Sequence, residues 1–399
     1  MTSLGSRNPV AFVLDMGCNG LGIARSLGRV GIPVVGVDFA RDAPGLRSKY
    51  CIPLVTSDPV REPKRALSVL LNEGKKHRNK GIIFPSSDAY VLLVSRFRKE
   101  LSQYFRFAIP SQQILESIIN KRKQYELAAQ IGVPCPRTHY PQDLQDVEEI
   151  KHEIDYPIFI KPYCSHVWRQ RFPNKGFKVD NATALVTKYK EISKARLEVM
   201  LQSIVSGPDR NIVEVYAYLS EQHELLATFV TRKLRQHPNN FGVATCLESI
   251  HDERALETAL KFLEGIRYVG LGSMELKEDP ADGKYKLLEL NARLPTHNAQ
   301  AACAGLNFPL IQYMDLIHRP VARPNEYRDR IVWLDAIPDF LAFYELYQNG
   351  NLSPFRWLKS ICKADCHSYL AWDDIKPFVS DMASALSLLP MRLLRHKRI

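Results

Sequence analysis

The apolar positions near the start of the chain come in short runs separated by glycine. Val10 to Asp15 is one such run; Gly17, Gly20 and Gly22 follow, then a helical pattern through Leu27 and a second run from Ile32 to Val37. This order predicts strand, glycine turn, helix and strand. A further apolar strand, Gly81 to Phe84, ends at Pro85-Ser86-Ser87-Asp88. Polar residues just past the carboxyl end of a parallel strand sit where open α/β sheets bind ligands. Residues 1 to about 112 are therefore expected to form a small doubly wound domain. The spacing of Gly17, Gly20 and Gly22 is not the dinucleotide fingerprint, and only Asp38 is placed as a ribose partner, so a tight strand-to-helix turn is favoured over an NAD or FAD site.

Further along, Lys121 to Ile131 has a helical pattern that stops at Gly132, and Val133-Pro134 leads into extended chain. A strand at Pro157 to Pro162 comes next; the stretch from Leu197 to Ile212 holds another, with a turn at Ser206-Gly207-Pro208-Asp209. After an alternating strand from Leu225 to Val230, Thr231 to Gln236 is expected to be a basic loop. Between Leu271 and Arg293, two alternating runs flank the turn-rich Asp279-Pro280-Ala281-Asp282-Gly283, which predicts a β-hairpin. A turn centred on Asp282 pairs Lys277 with Leu287, Glu275 with Glu289 and Ser273 with Asn291, and period two puts Arg293 on the same face. Directly opposed carboxylates repel, so a cation is expected between them. Glu275, Glu289 and Asn291 offer oxygen ligands suited to Mg²⁺ shared with nucleotide phosphates, and Arg293 can stabilise developing negative charge. The bland alternative is a solvent-facing strand whose acids pair with Lys277 and Arg293.

Composition adds limits. With 45% hydrophobic and 24% charged residues among 399, the chain has ordinary globular make-up. Its eight cysteines are scattered, which suggests reduced cytoplasmic thiols; Cys362, Cys366 and His367 are a weak zinc candidate. No apolar run is long enough to span a membrane. The net charge of +11 is spread without a recognised nucleic-acid module, so no nucleic-acid partner is expected. The tail from Ser380 to Ile399 is leucine-rich with a basic end; a packed C-terminal helix is favoured over an interfacial one because Pro390 interrupts it.

Taken in order, these motifs resemble ATP-grasp ligases, most closely the bacterial branch of predicted carboxylate–amine ligases, over roughly residues 8 to 320. The resemblance implies an α/β ATP-grasp fold: an N-terminal Rossmann-like domain (1–112), an ATP-grasp domain (113–320, lid about 121–200, hinge about 201–205) and a mostly helical C-terminal extension (321–399), with a homodimer left open. It implies that Lys121 and Lys161 bind phosphate and that Gln202, Ser203, Ile204 and Val205 form the adenine hinge. Asp209 falls where an acid holds the ribose hydroxyls. Lys233 and Arg235 correspond to cations over the terminal phosphate, Glu275, Glu289 and Asn291 to ligands of Mg²⁺ (or Mn²⁺), and Arg293 to the catalytic arginine. The glycine-rich phosphate loop of many members is missing; Arg169, Arg171 and Lys175 are candidate replacements, and His166 or Trp168 a candidate substrate contact. The acid and the amine are expected to meet near the Pro85-Ser86-Ser87-Asp88 loop, with Ser87 and Asp88, and the segment Leu294 to Asn298; Asp88 is expected to hold an ammonium or cap its helix.

The reaction implied is ATP-dependent activation of a small-molecule carboxylate as an acyl phosphate, followed by attack of an amine. A bicarbonate-activating carboxylase of the same fold, a dinucleotide-dependent oxidoreductase and a non-catalytic nucleotide-binding protein are the alternatives. The aromatic stretch from about Ala322 onward is expected to pack as helices on the core or on a partner.

Overall fold

A computed structural model describes residues 8–320 and 326–384. Most of the basic, leucine-rich tail lies outside the described residues. Five strands, β1 (Ala11–Leu14), β2 (Val34–Asp38), β3 (Ile52–Val55), β4 (Gly81–Pro85) and β5 (Phe105–Arg106), form a parallel sheet in the order β3-β2-β1-β4-β5. Alternate residues of β1 enter different cores: Ala11 and Val13 one, Phe12 and Leu14 another. Burial on both faces is why β1 and β2 are unbroken apolar runs in the sequence.

The glycine turn after β1 serves close packing. A Cβ on Gly20 would stand 1.9 Å from the Asp15 carbonyl oxygen, and one on Gly22 2.4 Å from Asn298 Oδ1. The Asp38 carboxylate accepts the Met16 N–H (2.7 Å) and the Ala40 N–H (2.9 Å), so it braces this turn.

A second sheet contains β6 (Thr138–His139), β7 (Ile158–Pro162), β8 (Phe177–Val179) and β9 (Val199–Ser203), antiparallel in the order β6-β9-β7-β8. It has its own core, with Ile158, Ile160, Trp168, Leu185 and Ile192. Trp168 is a core residue there, its Nε1–H donating to the Asn174 carbonyl (2.8 Å), and so is not placed as a substrate contact.

The third and largest sheet is built from β10 (Ile212–Leu219), β11 (Leu225–His237), β12 (Val243–Ile250), β13 (Gly270–Glu278), β14 (Tyr285–Asn291), β15 (Val332–Leu334) and β16 (Cys366–His367). Its order is β14-β13-β10-β11-β12-β15-β16, antiparallel except between β15 and β16. Val213, Val215, Ala217 and Leu219 of β10 pack with the helices Lys121–Ile131 and Glu253–Gly265, while Tyr216 and Tyr218 share a core with β1 and β4. The expected basic loop at Thr231 to Gln236 is instead the second half of β11. Pairing with β12 along its length, and with β10 at Thr231 and Arg232, holds it extended, and tertiary pairing outweighs the high local charge.

The C-terminal part contains the helices Ala336–Gln348 and Pro354–Ile361, but it also adds β15 and β16 to the large sheet. Its last described stretch clasps the N-terminal domain: buried Asp374 receives Arg25 Nε (3.0 Å) and Ser48 Oγ (2.6 Å), and Asp373 receives both Arg29 and the Tyr50 hydroxyl. Cys366 is buried in β16 whereas Cys362 is exposed, and among the described residues no group of three His, Cys, Asp or Glu is arranged to hold a metal ion. No helix among the described residues is long and apolar enough to cross a membrane.

Candidate active site

The hairpin register places Glu275 opposite Glu289 and Ser273 opposite Asn291. Lys277, however, faces Lys286 and not Leu287, because Leu288 is an extra residue in β14 that shifts the ladder between Glu275 and Leu276. On its other side Glu275 faces Glu214 of β10. Three carboxylates therefore stand in a row across β10, β13 and β14. Each has a nitrogen partner: Glu289 pairs with Lys121, Glu275 with Lys233 (3.5 Å) and Glu214 with His297 Nε2 (2.8 Å). These partners offset the mutual repulsion that such a row would otherwise carry. Burial pushes the Glu289 carboxyl up, but the charges of Lys121 and Lys161 outweigh it and hold the group down to about 2. Burial also works against Glu214, and there His297 keeps it below the usual carboxylate range.

A folded-state value below the unfolded one means that ionised Glu289 contributes stability above the ordinary glutamate pKa, and that this is lost as pH falls toward about 2. The urea midpoint measured between pH 5 and 2.5 is expected to fall less steeply in Glu289→Gln than in the parent protein. Parallel slopes would show that the lysine field does not act on this carboxyl.

The bulge at Leu288 has a structural use. It presents the Leu288 carbonyl to the Tyr125 hydroxyl (2.7 Å) and to Lys161 Nζ (3.0 Å). Lys161 Nζ also donates to Tyr125 Oη (2.8 Å) and reaches Gln202 Oε1 (3.5 Å). Burial lowers the pKa of this ammonium, opposed by the charges of Glu289 and Glu275. Lys121 begins its helix, capped by the Asn120 side chain, and its N–H donates to the Tyr163 carbonyl at the end of β7 (2.9 Å). Lys175, from the loop before β8, donates to the Gly242 carbonyl (2.8 Å) and lies within the field of Glu275 and Glu289. Of the three cations proposed in place of a glycine loop, it is the one joined to the acid row in this way.

Lys233 and Gln236 of β11 meet at 3.2 Å, and Gln236 Nε2 donates to Asp209 Oδ1 (2.6 Å), so Asp209 reaches the cluster through Gln236. Arg235 does not join them. The ladder skips Leu234, which turns Arg235 to the opposite side, where its Nε and Nη2 donate to Asp339 (2.8 and 2.9 Å) and its Nη1 to Ser360 Oγ (2.9 Å). The bulge at Leu234 changes the phase of the strand, so Arg235 does not join Lys233 in the place that the resemblance implied for both. At the expected hinge, Gln202 and Ser203 end β9, and Ile204 and Val205 follow it. The Val205 carbonyl accepts from Lys277 (2.8 Å), so this segment is tied to the large sheet.

Arg293 leaves β14 toward the N-terminal domain, where Nε donates to Asp88 Oδ1 (2.8 Å). Asp88 therefore has a guanidinium partner, and it sits in the first turn of its helix without capping it; Ser87 is at the cap position with no side-chain cap bond. The buried Ser87 hydroxyl has no hydrogen-bond partner. The side chain of His166 lies outside the described residues. Glu214, Gln236 and Tyr125 were not singled out in the sequence, and His297 only as part of the segment Leu294 to Asn298. Glu214 left a signal, a single acid within the apolar strand Ile212–Leu219.

Lys161 of the four-stranded sheet reaches the Leu288 carbonyl beside the acids of the large sheet, and comparison with known proteins relates this arrangement to ATP-binding domains. Residues 120–315 match the family model for the carbamoyl-phosphate synthase L chain, ATP binding domain. The chain is similar to the D-aspartate ligase of Enterococcus faecium (strain Aus0004), 26% identical over 329 residues, which cover 77% of this chain and 76% of that protein. It is also similar to the D-alanine--D-alanine ligase of Pseudomonas putida (strain GB-1), 20% identical over 200 residues, 48% of this chain and 61% of the relative. Among solved structures, the L-amino acid ligase from Bacillus licheniformis superposes with a TM-score of 0.62 at 15% identity, covering 82% of this chain and 79% of that one. The ADP complex of N5-carboxyaminoimidazole ribonucleotide synthetase gives a TM-score of 0.66 at 16% identity, covering 88% and 87%. The fold is ATP-grasp, as in these solved structures, and the chain is similar to ATP-grasp ligases.

Proposed function

We propose that this protein joins a small-molecule carboxylate to an amine, using ATP to activate the acid as an acyl phosphate and releasing ADP and phosphate. It is an ATP-dependent ligase forming carbon–nitrogen bonds. The observation that supports this best is the acid pair Glu275 and Glu289, opposed on β13 and β14 and accompanied by Lys121, Lys161, Lys175 and Lys233. Transfer of a phosphoryl group asks mainly for positioning and charge neutralisation, and no nucleophilic side chain is needed. Lys121, Lys161 and Lys233 hold the phosphates, Gln202 to Val205 line the adenine, and Asp209 with Gln236 faces the ribose. Glu275, Glu289 and Asn291 form an all-oxygen set that fits Mg²⁺ (or Mn²⁺), which supplies further neutralisation of phosphate charge when bound. Arg293, steadied by Asp88, stands beside the Ser87 loop, where the acid and the amine meet. Arg235 is assigned to structure, given its bonds to Asp339.

The relatives point to amino acids as substrates, with D-aspartate and D-alanine the first to try. We place the protein in the cytoplasm, with small molecules and not nucleic acid as partners. The test is release of ADP and phosphate with Mg-ATP across a matrix of D- and L-amino acids and amines, with and without bicarbonate, followed by mass spectrometry. A product lighter by one water than acid plus amine is expected. Release that depends on bicarbonate alone would replace the ligase by a carboxylase, and ATP binding without turnover in any well would remove the catalytic reading.

A further inference from the structure

The site as described leaves one step without a residue. An amine substrate is an ammonium at neutral pH, with a pKa of about 8 to 10, and it must lose a proton before it can attack. The chain from Asn291 to Gln300 runs across the large sheet beside the acid row: Asn291 ends β14, His297 lies on Glu214 of β10, and Gln300 bonds Thr231 of β11 (2.8 Å). His297 thus stands one strand inward from the Glu275–Glu289 pair, a step of about 5 Å. Its Nε2 meets Glu214 Oε2 at 2.8 Å, and its Nδ1 is buried with no hydrogen-bond partner. The Tyr216 hydroxyl, whose ring packs on the imidazole with centroids 5.8 Å apart, is likewise without a partner. Buried polar atoms are ordinarily satisfied, so two orphans beside a charged row point to a polar ligand.

An imidazole bonded through one nitrogen to a carboxylate, with the other nitrogen free, has the arrangement of an oriented general base. Against the imidazole lie Glu214 on β10 and the Tyr216 ring, and the charged groups near Glu214 are Glu275 on β13, Lys233 on β11 and Arg293 on the segment of His297. We propose that His297, held by Glu214, accepts the proton of the amine substrate at Nδ1. This rests on the ligase reading. The ammonium gives its proton to Nδ1, and Glu214 stabilises the imidazolium through the Nε2 hydrogen. The freed nitrogen lone pair bonds to the acyl carbon, the carbon–oxygen bond to phosphate breaks with its electrons going to phosphate, and the second nitrogen proton leaves on the phosphate. His297 then returns its proton to solvent. Glu214 acts as a positioning residue.

Hydroxylamine separates this step from activation, because its nitrogen is already unprotonated at neutral pH and it captures an acyl phosphate as a hydroxamate without a base. With Mg-ATP and an acid active in the matrix above, His297→Gln is expected to keep hydroxamate formation within about threefold while amide formation falls at least about 100-fold. The residual amide rate should rise about tenfold per pH unit toward the pKa of the amine. Loss of both products together, or of neither, in a protein with parent-like melting overturns the assignment. A second measurement needs no variant: between about pH 7 and 9 the wild-type amide rate should change far less than the free-amine fraction, and a rate tracking that fraction tenfold per unit also overturns it. Wild-type protein that forms neither hydroxamate nor ADP with any acid refutes the ligase reading itself, a distinct outcome.

Discussion

Glu289→Gln is expected to lower turnover by about 10²–10³-fold while leaving a folded protein. Glutamine keeps the size of the side chain and one carbonyl oxygen for Lys121, so packing around β14 is retained. What disappears is the negative charge that sits opposite Glu275 and within the field of Lys121 and Lys161. Both the ammonium groups and any hard cation between the acids then lose their counter-charge, and the geometry they impose on ATP loosens. The measurement is steady-state ADP release at saturating Mg-ATP and substrates, paired with a thermal melt. Activity within a fewfold of the parent would remove Glu289 from the phosphate-binding set and leave its ion pair with Lys121 a purely structural bond.

A second large effect is expected at Asp339, which Arg235 reaches from the side of β11 opposite to Lys233. This carboxylate is fully buried and accepts from Arg235 Nε and Nη2, Thr245 Oγ1 (2.8 Å) and Trp357 Nε1 (2.9 Å). It joins β11 and β12 to both C-terminal helices. Asp339→Ala strands the Arg235 guanidinium in a buried site with one remaining partner, Ser360, and breaking such a pair costs about 3–5 kcal/mol. Urea unfolding should report that loss in full, while Arg235→Met with Asp339→Leu, which removes both charges, should recover much of it. A single Asp339→Ala variant as stable as the parent would mean that water replaces the carboxylate and that the C-terminal helices are only loosely attached.

The legibility of this chain varied with how local the determining contacts were. The hairpin from Gly270 to Asn291 could be paired residue by residue up to Glu275–Glu289, since alternation and a turn near Asp282 set the register. One residue past that pair the count failed, because Leu288 is an extra residue whose carbonyl is used by Tyr125 and Lys161 from other elements. Arg235, which the resemblance placed over the terminal phosphate, lies elsewhere because of a second bulge: the skipped Leu234 reverses its side, and the partner that rewards the reversal, Asp339, lies 104 positions away. The expected helices of the C-terminal extension are present, but β15 and β16 within it depend on pairing with β12, which no local pattern reveals.

The sequence alone determined the alternation of strands and helices, the glycine turn, the hairpin and its opposed acids, because these follow from period, turn chemistry and charge over a few residues. The tertiary structure alone decided which cation meets which acid, the bulges that aim the Leu288 carbonyl inward and Arg235 outward, and the placing of His297 on Glu214. Those contacts join residues tens to hundreds of positions apart, and they exist only once the sheets and the crossing segment have packed together.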